Sequence, residues 1–154
     1  MKDLTKSLLI EQMDKKLQKF VVIKEIQIPP KGWINAIRVS LNMSLKQLGK
    51  RIGITSQSVR EIESREADKK ITLEKLIEVG SALNLHFVYG FIPKDGSLEK
   101  MIEKRAYDIA EQIVLKTSHS MALENQENPP ERINKAIKDR AEKIKYEMPR
   151  YLWD

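Results

Sequence analysis

No cysteine occurs in the chain, which excludes disulfides, zinc-thiolate sites and thiol catalysis. Histidine is nearly absent too. His86 and His119 have no acidic or cysteine cluster beside them, so each reads as a structural side chain rather than a metal ligand. The longest apolar run falls far short of the roughly 18 residues of a membrane span, and Leu8–Ile10 is too short for a signal peptide. The expectation is a cytoplasmic protein that does not cross a membrane. With six glycines spread along the chain there is no phosphate-cradling loop. No nucleophile-base pair or metal cluster can be assembled, and the carboxylates are scattered as helix charges. The chain is therefore expected to be no enzyme, with no catalytic residues, no metal and no cofactor.

What is present is charge and helical periodicity. In 154 residues with 41% hydrophobic content the chain can bury a modest core, enough for one domain with appendages or two small modules. The formal charge of +6 is uneven: residues 31–66 hold seven Lys/Arg against three Glu, while 98–127 hold four against six acidic residues. A basic surplus concentrated on one segment is the footprint of a nucleic-acid backbone.

That segment contains MSLKQLGKRIGITSQSVREIE, Met43 to Glu63, which reads as a helix-turn-helix. Ser44 is a suitable N-cap, and Leu48 and Ile52 place apolar groups at i, i+4. Gly49 keeps the helix face narrow where a second helix must cross. Gly53 stands where the first helix should end in a left-handed residue. Thr55 caps the second helix, whose Val59 and Ile62 face back onto the first. Ser56, Gln57, Arg60, Glu61 and Ser64 then point outward, residue types that hydrogen-bond base edges and phosphates. Lys46, Lys50, Lys69 and Lys70 are placed to attract the backbone. Glu61 has two readings: it accepts from a cytosine amino group, or it repels phosphates and sharpens register.

Around this centre the pattern predicts a mainly α protein in three parts: an N-terminal arm over 1–30, a DNA-binding domain over 31–93 and a C-terminal helical extension over 97–154. In the arm, Leu4, Leu8, Met13 and Leu17 form a loose apolar stripe, read as a packing arm or as a helix lying on a membrane surface. FVVIKEIQI (20–28) and LHFVYGFI (85–92) are possible short β-strands, each stopped by proline. Trp33 is expected as a core anchor, with Ile34, Ile37 and Leu41 as the inner face of the helix it opens. Thr72 caps a helix with Leu73, Leu76, Ile77 and Leu83 turned inward, and Ser97 caps a long helix striped by Leu98, Met101, Ile102, Ile109 and Ile113. Asn128-Pro-Pro-Glu131 begins the last helix, striped by Ile133, Ile137, Ala141, Ile144 and Met148.

The spacing from Trp33 to Leu85 resembles the Xre/phage-repressor helix-turn-helix family, with one departure: Leu45 stands where such repressors often carry a phosphate-binding glutamine. A second motif, Ser120-Met-Ala-Leu-Glu124-Asn125, resembles the inhibitory-helix motif [S/T]-x-x-x-E-[G/N] of Fic adenylylating proteins. The same residues also suit a solvated helix end closed by Asn125. PPKGWINAIR, the helix-turn-helix with ITLEKL and FVYGFIP, SMALENQ and the terminal LWD together resemble the mobile mystery protein A family over about residues 29–154. That resemblance implies a Fic-domain partner, mobile mystery protein B. It also implies that Glu124 pairs with the partner arginine that would otherwise hold the ATP γ-phosphate, with Ser120 and Asn125 supporting it. Such a pairing would misalign the nucleotide for phosphoryl transfer. Two functions are therefore expected together: a homodimeric regulator of double-stranded DNA and an antitoxin-like inhibitor of a Fic partner. The alternative is a plain homodimeric repressor whose C-terminal helices only dimerise.

Overall fold

A computed structural model describes residues 2–123 and 129–154, with side chains over 4–121 and 129–154. Seven α-helices account for most of them: α1 (Lys2–Gln18), α2 (Trp33–Ser40), α3 (Leu45–Ile52), α4 (Ser56–Ala67), α5 (Leu73–Ala82), α6 (Leu98–Leu123) and α7 (Pro130–Glu147). Short 3-10 helices occupy Val21–Glu25 and Arg150–Trp153. The chain forms two compact units, Ile23–Tyr89 and Met1–Val22 with Gly90–Asp154.

In the first unit α2 to α5 surround a core of Ile34, Leu48, Val59, Ile62, Val79 and Leu83. Local chemistry sets the helix starts. The Ser44 hydroxyl accepts from the Gln47 amide at 3.1 Å while the Gln47 side chain accepts from the Ser44 amide at 2.8 Å, a reciprocal cap. Thr55 and Thr72 accept from the amides of Ser58 and Lys75 at 3.1 and 3.2 Å. The start of α2 is closed differently. Glu66, on α4, accepts from the amides of Trp33 and Ile34 at 2.7 and 2.8 Å, which sets a carboxylate against the positive end of the helix. Gly32, at φ 86°, leaves room for it: a Cβ there would lie 2.7 Å from the Glu66 carboxyl carbon.

Four inward assignments are corrected here. Trp33 is 43% exposed rather than a core anchor, because as the first residue of α2 it is fixed through its amide and not its ring. Leu41, the C-cap of α2, lies past the buried face and is exposed. Val79 on α5 and its C-cap Leu83 are buried, whereas Leu73 and Ile77 face outward.

In the second unit α6 and α7 pack along a seam of Ile102, Ala106, Ile109, Ala110, Ile137, Ala141 and Ile144, completed by Leu152. The alanines bring the two backbones close. Ser97 caps α6 through the Lys100 amide at 3.1 Å. Asp14 of α1 adds a second cap, accepting from the amides of Leu98 and Glu99 at 2.7 and 3.2 Å. That anchor turns Ile10 and Asp14 toward α6 and leaves Leu4, Leu8 and Met13 exposed, so of the stripe expected from the sequence only Leu17 is half-buried. The start of α7 has Pro129 at the N-cap with no side-chain bond and Pro130 at the first helical position. Asn128 lies outside the described residues.

The possible strands at 20–28 and 85–92 are not formed. Among the described residues there is no β-strand. Residues 21–25 wind into a 3-10 turn, and 85–92 take neither helix nor strand, because β-branched and aromatic composition yields a strand only where a second one supplies the ladder. What joins the two stretches is a side chain: the Phe20 ring lies against Gly90, where an added Cβ would fall 2.5 Å from it.

Candidate nucleic-acid interface

The turn between α3 and α4 is tight. The Gly49 carbonyl accepts from the amides of both Gly53 and Ile54 at 2.8 Å. A Cβ at Gly49 would meet the Ile54 carbonyl oxygen at 2.5 Å, so only glycine lets the chain turn back this closely. Gly53 adopts φ 81° and ψ 31°, the left-handed stop. Val59 and Ile62 then seat α4 in the core beneath α3.

This placement decides what α4 presents. Val59, Ile62 and Glu63 are buried, so Gln57, Arg60, Glu61 and Ser64, spaced i, i+3, i+4, i+7, form one exposed row on the opposite side. Ser56, in the first turn of α4, is half-buried. Lys46 and Lys50 are exposed at i, i+4 on α3, and Lys69 and Lys70 are exposed just beyond the end of α4. None of these four lysines, nor Arg60, forms an ion pair with a described residue, which leaves their charges for an external anion. Leu45, at the position where related repressors often carry a glutamine, instead packs against the core, and Gln47 is held in the Ser44 cap.

The inward side of α4 carries a polar network that the sequence did not disclose. Glu63 accepts from the Arg38 Nε at 2.5 Å, from the Arg38 Nη2 at 3.2 Å and from the Asn35 Nδ2 at 2.9 Å. Arg38 also donates to the Met43 carbonyl at 2.8 Å. A buried carboxylate met by a two-pronged guanidinium fixes the angle of α4 against α2 as well as its distance. The available signal was the position of Glu63 beside Ile62, on the inward side of a helix whose outward row is already polar.

The second motif is described only in part. Ser120 is exposed near the end of α6, its hydroxyl donating to the Lys116 carbonyl at 3.1 Å. Glu124 and Asn125 lie outside the described residues. Among the described residues no helix is long and apolar enough to cross a membrane, and no group of three His, Cys, Asp or Glu is placed to hold a metal ion.

No curated protein and no solved structure matches the chain. Residues 34–89 match the family model described as Helix-turn-helix. This chain thus carries, over residues 34–89, an Xre-type helix-turn-helix domain, a DNA-binding regulatory domain rather than an enzymatic one.

Proposed function

We propose that the chain is a sequence-specific transcriptional regulator acting as a homodimer on double-stranded DNA, and that it also restrains a Fic-domain adenylyltransferase. The observation that carries the first half is the exposed row Gln57, Arg60, Glu61 and Ser64 on the second helix of the turn, flanked by unpaired lysines. Gln57 and Arg60 read base edges; Lys46, Lys50, Lys69 and Lys70 hold the phosphates. One such helix touches too little DNA for tight selective binding, so two are brought to successive major grooves about 34 Å apart. The second half rests on the motif Ser120, Glu124, Asn125 and on the resemblance of residues 29–154 to the mobile mystery protein A family. In this reading Glu124 occupies the partner arginine that would otherwise bind the ATP phosphates.

Selection from a pool of random duplexes tests the regulator. Enrichment of a palindrome with half-sites one helical turn apart is expected, and recovery of unselected sequence at every round would refute it. The partner half is tested by co-purification with the neighbouring Fic protein. If no complex forms, the plain repressor, with C-terminal helices that only dimerise, is what remains.

A further inference from the structure

From Asn84 the chain leaves α5 and runs to Pro93 without helix or strand. The Leu85 amide still donates to the Gly80 carbonyl, at 2.8 Å. Beyond it, residues 86–92 make no backbone hydrogen bond with any described residue. Seven consecutive residues without a backbone partner among the described residues are uncommon in a folded chain, and here most of them are also apolar. Leu85 is 44% exposed, Val88 69%, Tyr89 63% and Phe91 79%. Phe87 and Tyr89 stack with ring centroids 6.0 Å apart, the i, i+2 arrangement of side chains on one side of a strand. The segment thus has strand composition and a strand-like side-chain arrangement. What it lacks is a partner.

Within the chain the obvious partner, 20–28, is not paired with it: Val21–Glu25 is wound as a 3-10 helix, and Phe20 meets this segment only through its ring. We infer that residues 85–91 pair with the same residues of a second copy of this chain, forming an antiparallel two-stranded ribbon with Val88 at the two-fold axis. This rests on the dimeric regulator proposed above and assigns the surface that makes the dimer. A second copy is the fitting occupant because the segment complements itself. Centred on Val88, Leu85 of one copy lies opposite Phe91 of the other and Phe87 opposite Tyr89, so every facing pair on that side is apolar. Edge pairing supplies the missing backbone bonds, and self-pairing gives the closed symmetry that a palindromic site requires. Two aromatics per copy that are mostly exposed, at roughly 150–250 Å² each, bring the buried area toward the roughly 1,000 Å² of a specific interface.

Two variants of the full chain test this. Because the chain has no cysteine, Val88→Cys introduces a single thiol, and a facing pair places the two Cβ atoms about 4.5–5.5 Å apart. Mild oxidation should convert most of it to a covalent dimer, while Val22→Cys, at least as exposed on the other apolar stretch, should stay monomeric on a denaturing gel. Val88→Pro removes an amide that bonds no described residue and that, in a hydrogen-bonded pair at the two-fold axis, donates across to the second copy. Sedimentation should show self-association weakened roughly tenfold or more, with helix content unchanged and the thermal midpoint unchanged at dilutions where the wild type is itself monomeric. A wild-type dimer that neither cross-links through residue 88 nor responds to proline there overturns this interface and leaves the dimeric regulator standing. A wild type that is monomeric at micromolar concentration overturns the dimeric reading itself.

Discussion

Arg38 and Glu63 meet in the interior of the helix-turn-helix unit, Nε to Oε1 at 2.5 Å, with the two side chains only 12% and 9% exposed. The pair joins the first helix of the unit to the one that presents the polar row. A charge buried this far is tolerated only while its partner remains.

Removing one member should therefore cost more than removing both. Glu63→Ala leaves the guanidinium without its carboxylate and the Asn35 amide without an acceptor, at about 3–5 kcal/mol. Arg38→Met with Glu63→Leu should lose clearly less, since no orphaned charge remains. The two tryptophans allow a clean measurement, Trp33 standing in this unit and Trp153 in the other. Urea unfolding followed by fluorescence in a Trp153→Phe background isolates the Trp33 unit; equal losses for the single and double variants would contradict the argument.

The Gly49 turn yields a second expectation. Gly49→Ala forces a methyl against the Ile54 carbonyl, a backbone atom that cannot swing aside, and should destabilise the unit by about 1–3 kcal/mol. Gly53→Ala meets no neighbour but must hold a left-handed φ of 81°, which costs about 1 kcal/mol. The order of the two effects is the test. A turn limited by conformation alone would make Gly53 the more sensitive position.

The difference between what was legible in the sequence and what was not follows from distance along the chain. Ser44, Thr55, Thr72 and Ser97 each cap the amide three residues on, and Gly53 stops a helix by its own φ, so the local sequence held all the information. The Glu66 and Asp14 caps on α2 and α6 act across 32 and 84 residues, and the Arg38–Glu63 pair across 25. Nothing local marks such partners. The same limit explains the stretches 20–28 and 85–92, where strand composition was plain but the neighbour that would make a ladder lies nowhere in the described chain. In the proposed interface, the outward row on α4 was readable because burial of Val59 and Ile62 fixes it by helical period alone.

Base readout and phosphate attraction should separate by substitution. Gln57→Ala should cost roughly 1–3 kcal/mol on the selected site and relax preference at one base pair. Lys50→Ala should instead weaken binding on all sequences and reduce the salt slope by about one. Anisotropy titrations at several salt concentrations, on the selected and on random duplexes, distinguish them. Equal losses on both DNAs for both variants would remove the assignment.

In the other unit Lys145 lies 2.5 Å from Glu103 and 3.5 Å from Glu99. Its hydrogen bond to the Glu103 carboxylate, opposed by burial and aided by both negative charges, holds the ammonium above its ordinary value of 10.5. A pKa raised in the folded state gives stability that is fully present below the unfolded value and is lost as pH rises through the folded one. Thermal midpoints by circular dichroism should therefore fall more steeply above about pH 10.5 for the wild type than for Lys145→Met. Parallel curves for the two proteins would show that the contact adds no pH-dependent stability.

Glu124 separates the two functions proposed for the chain. If its carboxylate holds the partner's phosphate-binding arginine, Glu124→Gly removes that charge while the rest of the docked surface still supplies most of the buried area, so the complex should form as before. Once freed, the arginine can align the ATP phosphates, and the complex should transfer adenylate to a target where the wild-type complex does not. Binding to the selected duplex should be unchanged, because the row on α4 belongs to the other unit. The measurement is transfer of label from α-labelled ATP by the co-purified pair, wild type against Glu124→Gly, with DNA affinity taken on the same preparations. If both complexes are equally silent with a Fic protein shown to be active alone, Glu124 does not restrain it, and the C-terminal helices serve the regulator only.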